Sequence, residues 1–295
     1  MDLFPHLSRS PYSAAEEDLF DPGKRDGFFA VVPPKSEAAL CADMARLAYC
    51  RLEPEFGCDV DRIRAILNNR VGFQTCDFFE SQGTPQGKGI HCFLALRDSA
   101  EGKVAVVAFR GTDVKDPTNI CFDADFEFCD WKPGGRVHQG FAEGLNEVLS
   151  CLDPEIRKLG DYRLLYTGHS LGAALATLMA SLRPPAVLYT FGSPRVGDQA
   201  FAATVRNVEH YRHQDCCDLV TRVPLESMHY VHVGTLRYID RNRRILENPG
   251  EATILGDHGL AETEYAAQYA FKPGNIRMRD LADHSPINYV WPVAA

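Results

Sequence analysis

Leu164-Leu165-Tyr166-Thr167-Gly168-His169-Ser170-Leu171-Gly172-Ala173-Ala174-Leu175-Ala176 decides the fold of this chain. Tyr162 to Thr167 reads as a strand and Ser170 to Arg183 as a helix, so Gly168-His169-Ser170-Leu171-Gly172 falls on the turn between them. A serine on so tight a strand-to-helix turn is forced into a strained backbone conformation. Its side chain then projects above the C-terminal edge of a sheet, while a glycine two residues to either side lets strand and helix approach without a clash. The helix beneath supplies N–H groups and the positive end of its dipole to a developing oxyanion.

Outward from this turn, apolar runs alternate with helical patterns. His91 to Leu96 and Val104 to Phe109 read as strands, the second a continuous apolar run suited to a sheet covered on both faces. Phe141 to Leu152 reads as an amphipathic helix, Ala186 to Phe191 as a strand, Asp198 to Arg206 as a helix and Val208 to His213 as a strand. Such alternation predicts right-handed crossovers and a mostly parallel central sheet with helices on both faces, an α/β architecture. Met228 to Ile239 reads as an added strand or hairpin at the far edge, and 241–275 as a polar excursion carrying a short helix. Before the alternation begins, Ser36 reads as the N-cap of a helix running to about Cys50. Residues 1–35 are broken by Pro5, Pro11, Pro22, Pro33 and Pro34. Their apolar residues, Phe4, Leu7, Phe20, Phe28 and Phe29, predict an N-terminal extension packed on a single domain spanning 36–295.

Composition narrows the function. A net charge of -9 argues against nucleic acid, whose phosphates require a basic face. No apolar run is long enough for a transmembrane segment, and the N-terminus lacks the basic start and apolar core of a signal peptide. The expected location is therefore cytoplasmic, with leaderless export or a removed leader left open. Ten cysteines without a signal peptide are expected to be reduced thiols rather than a disulfide framework. No Cys-x-x-Cys pair and no Cys/His run with zinc spacing is present, and the neighbours Cys216 and Cys217 read as packing residues.

Five ordered motifs resemble those of one family, the class 3 (fungal-type) lipases of the α/β-hydrolase superfamily. Val107-Ala108-Phe109-Arg110-Gly111-Thr112-Asp113 resembles its oxyanion strand. Val137-His138-Gln139-Gly140-Phe141 resembles the start of its next helix, and Gly168 to Ala176 its nucleophile elbow. Thr190 to Asp198 resembles the strand and turn that follow, and Asp218-Leu219-Val220-Thr221-Arg222-Val223-Pro224 its acid segment. The likeness covers roughly residues 36–292. It departs at Ala173, where the family more often has a second glycine, and 1–35 and 241–275 carry none of the motifs.

A triad on this fold follows the chain order Ser, Asp, His. After the strand at 208–213 the acids on offer are Asp215 and Asp218. The resemblance selects Asp218; Asp215 is the alternative, read otherwise as a solvated loop carboxylate. Of the four later histidines, His229, His232, His258 and His284, the resemblance selects His284, followed by the aromatic Tyr289, with His258 as the alternative.

The resemblance implies a serine hydrolase that cleaves carboxylic esters, acylglycerols above all, through an acyl-enzyme on Ser170. Phospholipase A1 or feruloyl-type esterase activity is the alternative on the same scaffold, and a non-catalytic lipase-like binding protein the alternative of another class. The oxyanion donors expected are the N–H groups of Thr112 and Leu171. His169, Arg110 and His138 are expected to be structural. No metal and no organic cofactor is called for. The stretch Val114 to Trp131 lies where the family carries its lid, with Ile120, Phe122 and Phe126 as expected lid or substrate-binding residues beside Phe128 and Trp131. The partners expected are a small-molecule or lipid ester and a transient lipid interface, with oligomeric state open.

Overall fold

The computed structural model describes residues 10–50, 59–80, 91–111 and 126–295. Among these, ten strands are formed: β1 (Thr75–Glu80), β2 (His91–Ser99), β3 (Gly102–Phe109), β4 (Phe128–Asp130), β5 (Arg136–His138), β6 (Arg163–His169), β7 (Val187–Phe191), β8 (His210–Asp215), β9 (Thr235–Ile239) and β10 (Ile245–Glu247). The α-helices described are α1 (Glu16–Phe20), α2 (Glu37–Leu47), α3 (Val60–Val71), α4 (Gln139–Arg157), α5 (Leu171–Leu182), α6 (Gln199–Thr204), α7 (Glu251–Gln268), α8 (Arg279–Ala282) and α9 (Pro286–Ala294).

Eight strands form one sheet in the order β1-β2-β3-β6-β7-β8-β9-β10. The pairs from β3 through β9 are parallel, and antiparallel neighbours close both edges. β4 and β5 form a separate hairpin. This is the α/β-hydrolase fold, a mostly parallel sheet between helical layers.

The alternation of side chains along β3 shows why the sheet is buried on both faces. Val106 and Ala108 join a core with α2, α3 and α9, while Ala105, Val107 and Phe109 join a second core with α4 and α5. A strand with no solvated face has no place for a polar residue, hence its continuous apolar reading. α5 is buried along nearly its whole length, which its Leu/Ala/Met composition permits.

Helix starts follow the expected chemistry. The Ser36 side chain accepts from Ala39 N at 3.1 Å and Asp198 from Phe201 N at 2.9 Å, each satisfying a first-turn donor. The far edge is β9 followed by β10, narrower than the predicted 228–239 strand. The predicted short helix in 241–275 is the 18-residue α7. α3, β1 and the β4–β5 hairpin were not foreseen.

The N-terminal arm from residue 10 lies on the body. Tyr12, Ala14 and Leu19 pack with Tyr265 and Ile276, and Phe28 and Phe29 enter the core beside α2. No helix of the described residues is long and apolar enough to cross a membrane.

Candidate active site

Ser170 sits between β6 and α5 with φ 59° and ψ −126°, a conformation L-residues rarely adopt. Two glycines make that turn. A Cβ on Gly168 would run into the Gly172 backbone, and one on Gly172 into the carbonyl of Phe109 at the end of β3. Elbow, helix and neighbouring strand are thus packed backbone to backbone, which accounts for the spacing of the two glycines about the serine.

His284 Nε2 lies 3.0 Å from Ser170 Oγ, and His284 Nδ1 lies 2.9 and 3.0 Å from the Asp218 carboxylate oxygens. All three side chains are buried. The structure therefore brings together Ser170, Asp218 and His284, from three distant parts of the chain. Asp218 follows β8 by three residues, and His284 follows α8 by two. Asp218 is further held by the Val220 N–H at 2.9 Å and by the Tyr289 hydroxyl, which donates to it while accepting from Asp215 N. Burial, followed by the nearby Asp218, pushes the Tyr289 phenol well above its ordinary pKa, so it remains a donor.

The two alternatives lie elsewhere. Asp215 is not a solvated loop carboxylate: it is buried and paired with Arg243, whose Nη1 lies 2.7 and 2.8 Å from its two oxygens. A carboxylate at the end of an interior strand cannot reach water, and the arginine supplies the charge it needs. His258 is on α7, facing Arg222 and Tyr238.

Leu171 opens α5, where a backbone N–H has no acceptor within the helix, so it is placed to donate above the elbow. Thr112, Ile120 and Phe122 lie outside the described residues. Phe126 is partly buried against Val220 and Val223 and meets His138 edge-on, with ring centroids 6.0 Å apart. Phe128 stacks on Tyr230 at 4.1 Å, and Trp131 Nε1 donates to Ser181 Oγ at 2.9 Å. The C-terminal part of the 114–131 stretch is therefore built into the body.

His169 packs beside the site, its ring centroid 4.5 Å from that of His284. Its Nδ1 is 2.9 Å from the Tyr49 hydroxyl. Burial, and then proximity to His284, depresses its pKa well below the usual histidine range, so it stays neutral. His138 is buried and stacked on Phe141 at 4.1 Å. Gly192, at φ 58°, closes the floor. A Cβ there would stand 2.9 Å from Asp218 Oδ2 and 3.2 Å from His284 Cε1.

Tyr49, Tyr12 and Asp283 also shape the site and were missed. Asp283 accepts from the Tyr12 hydroxyl at 2.7 Å, from Cys217 N at 2.9 Å and from Arg279 Nε at 3.1 Å. Its adjacency to His284 was the one sequence signal available.

A strained serine above a parallel sheet, a histidine against it and an aspartate behind the histidine define a protein of the α/β-hydrolase class. Residues 106–228 match the family model described as Lipase (class 3), and the chain belongs to that family. It is 31% identical over 224 residues to a lipase of Rhizopus niveus, covering 67% of this chain and 52% of that protein. It is 33% identical over 166 residues to the secreted mono- and diacylglycerol lipase A of Penicillium cyclopium, covering half of each. The chain thus spans about half the length of these curated relatives. The fold is similar to that of a crystallised lipase from Rhizopus microsporus var. chinensis, with TM-score 0.56 and 21% identity over 86% of this chain and 96% of that one.

Proposed function

We propose that this protein hydrolyses carboxylic esters, acylglycerols in the first place, through an acyl-enzyme on Ser170. The single observation that carries the reading is the continuous hydrogen-bonded line from Ser170 Oγ through His284 to Asp218. The names of the relatives, lipases and a mono- and diacylglycerol lipase, favour acylglycerols within that class.

His284 Nε2 takes the proton of Ser170 Oγ as the oxygen attacks the ester carbonyl. Asp218 holds the Nδ1–H tautomer and stabilises the imidazolium. Tyr289 and the Val220 N–H keep the carboxylate in place. The tetrahedral oxyanion is met by the Leu171 N–H and, as the resemblance implies, by Thr112. Loss of one such donor typically costs about 2.7–4 kcal/mol of transition-state stabilisation. The alcohol leaves with the proton from His284, and a water deprotonated by the same ring releases the acid.

A panel of p-nitrophenyl esters, triolein, phosphatidylcholine and methyl ferulate tests this reading, with S170A as control. Preferred turnover of the glycerides is expected. Preference for phosphatidylcholine or methyl ferulate would move the protein to the neighbouring activity. A Ser170 inert both to the panel and to a fluorophosphonate probe would mark it as a binding protein.

A further inference from the structure

Beneath the acid segment, the fold gathers side chains that are scattered in the sequence. Cys216 and Cys217, between β8 and Asp218, are both buried, with their Sγ atoms 3.6 Å apart. His258 on α7 brings a ring nitrogen within 4.8 Å of both sulfurs. Carboxylate oxygens of Glu262 and Asp280 lie within the same limit of Cys217 Sγ and of each other. His258 and Glu262 are four residues apart on α7, so they share one helical face, and Asp280 comes from α8.

We propose that Cys216, Cys217 and His258 form a binding site for a thiophilic divalent cation, zinc in the first place. Two thiols and an imidazole suit zinc, whereas calcium and magnesium require oxygen donors throughout. These three protein donors leave the fourth zinc position to water, and no group of the Ser170 site is recruited. The two thiol protons pass to solvent on binding, since only the thiolates ligate.

A bound cation would have to displace the guanidinium of Arg222. The Arg222 guanidinium already occupies this ground, donating to Cys217 O at 3.0 Å, with Nη2 3.3 Å from His258 Nδ1 and Nη1 3.6 Å from Asp280 Oδ2. His258 Nε2 is buried without a hydrogen bond of normal geometry. A bound ion would clamp the segment leading into Asp218 to the excursion helix α7. This inference rests on the donor set and stands apart from the proposed ester hydrolysis.

The test uses the full chain, purified under reductant and stripped with a chelator, then titrated with Co2+ and Zn2+. One equivalent of Co2+ is expected to give a thiolate-to-cobalt charge-transfer band that Zn2+ abolishes, and Zn2+ is expected to raise the melting temperature. The C216S/C217S variant should lose the band. His258 is partly exposed and in no ion pair, so H258Q tests the site even if serine at the buried positions prevents folding. It should weaken binding by at least about 100-fold, since loss of a mere outer-shell partner of a metal ligand already costs about 10–100-fold. Absence of a thiolate band in the wild type, its retention in C216S/C217S, or wild-type zinc affinity and melting shift in H258Q would each overturn the proposal.

Discussion

The Asp283 carboxylate accepts a hydrogen bond from the Cys217 backbone N–H at 2.9 Å, so the residue before His284 is tied to the residue before Asp218. The spacing of base and acid is therefore set one residue upstream of each. Asp283 also receives the hydroxyl of Tyr12, which brings the N-terminal arm into the same support.

Tyr12→Phe keeps the ring over Arg243 and Arg279 and removes only the hydroxyl bond to Asp283. A hydrogen bond to a charged group is worth about 1.5–3 kcal/mol. Urea unfolding should show a loss of that size, with kcat on a soluble p-nitrophenyl ester reduced only modestly. Unchanged stability would mean that the arm lies against the body without supporting the loop that carries His284.

Asp218→Asn and Asp215→Asn should fail in opposite ways. The first removes the acceptor that fixes the His284 tautomer, at a cost of about 10⁴ in kcat by comparison with other triads, while the protein stays folded. The second leaves Arg243 buried without its partner, a loss of about 3–5 kcal/mol in stability, with kcat per folded molecule near wild type. If Asp215→Asn is the inactive, stably folded variant, the acid is assigned three residues too late.

Gly192→Ala places a methyl group against Asp218 and His284 at a position of φ 58°. The left-handed backbone alone costs about 1–2 kcal/mol with a side chain. Displacing the pair by a fraction of an ångström should cost far more in catalysis, on the order of 10²-fold in kcat. Measured KM for a soluble ester should hardly move. Full activity in Gly192→Ala would show that the floor under the pair is soft.

Acid should destabilise the fold before its exposed carboxylates titrate. Burial, followed by the charge of Arg212, pushes His210 down to about 3, and burial dominates in pushing His213 down to about 3 as well. In the unfolded chain both titrate near 6.5, so below that pH the unfolded state binds protons the native state refuses, and stability falls as pH falls. The expected loss is about 2 kcal/mol per histidine between pH 7 and pH 5. Urea midpoints at the two pH values measure it, and equal midpoints would contradict neutral burial of these rings.

What the amino-acid sequence determined by itself was local. β3 and β7 were legible because strands buried on both faces are apolar runs, whereas β8, His-Tyr-Arg-His-Gln-Asp, is polar though largely buried and was legible only from its place in the strand-helix alternation. The elbow was legible because only glycines at 168 and 172 let three backbones touch. α7 was misjudged in length: its outward half carries Ala252, Gly256, Gly259, Ala266 and Ala267, so no contrast of polar and apolar faces announces it. The choice of Asp218 over Asp215 and of His284 over His258 came from resemblance, since no periodicity separates one carboxylate or imidazole from another. Tertiary structure alone decided their placement, because the contacts span 66 residues from His284 to Asp218 and 114 from His284 to Ser170. It also turned Asp215 inward to Arg243, set the Tyr12 hydroxyl against Asp283, and brought Cys216 and Cys217 to His258. Each of these depends on where the sheet sends its strand ends, and that is a property of the packed whole rather than of any segment.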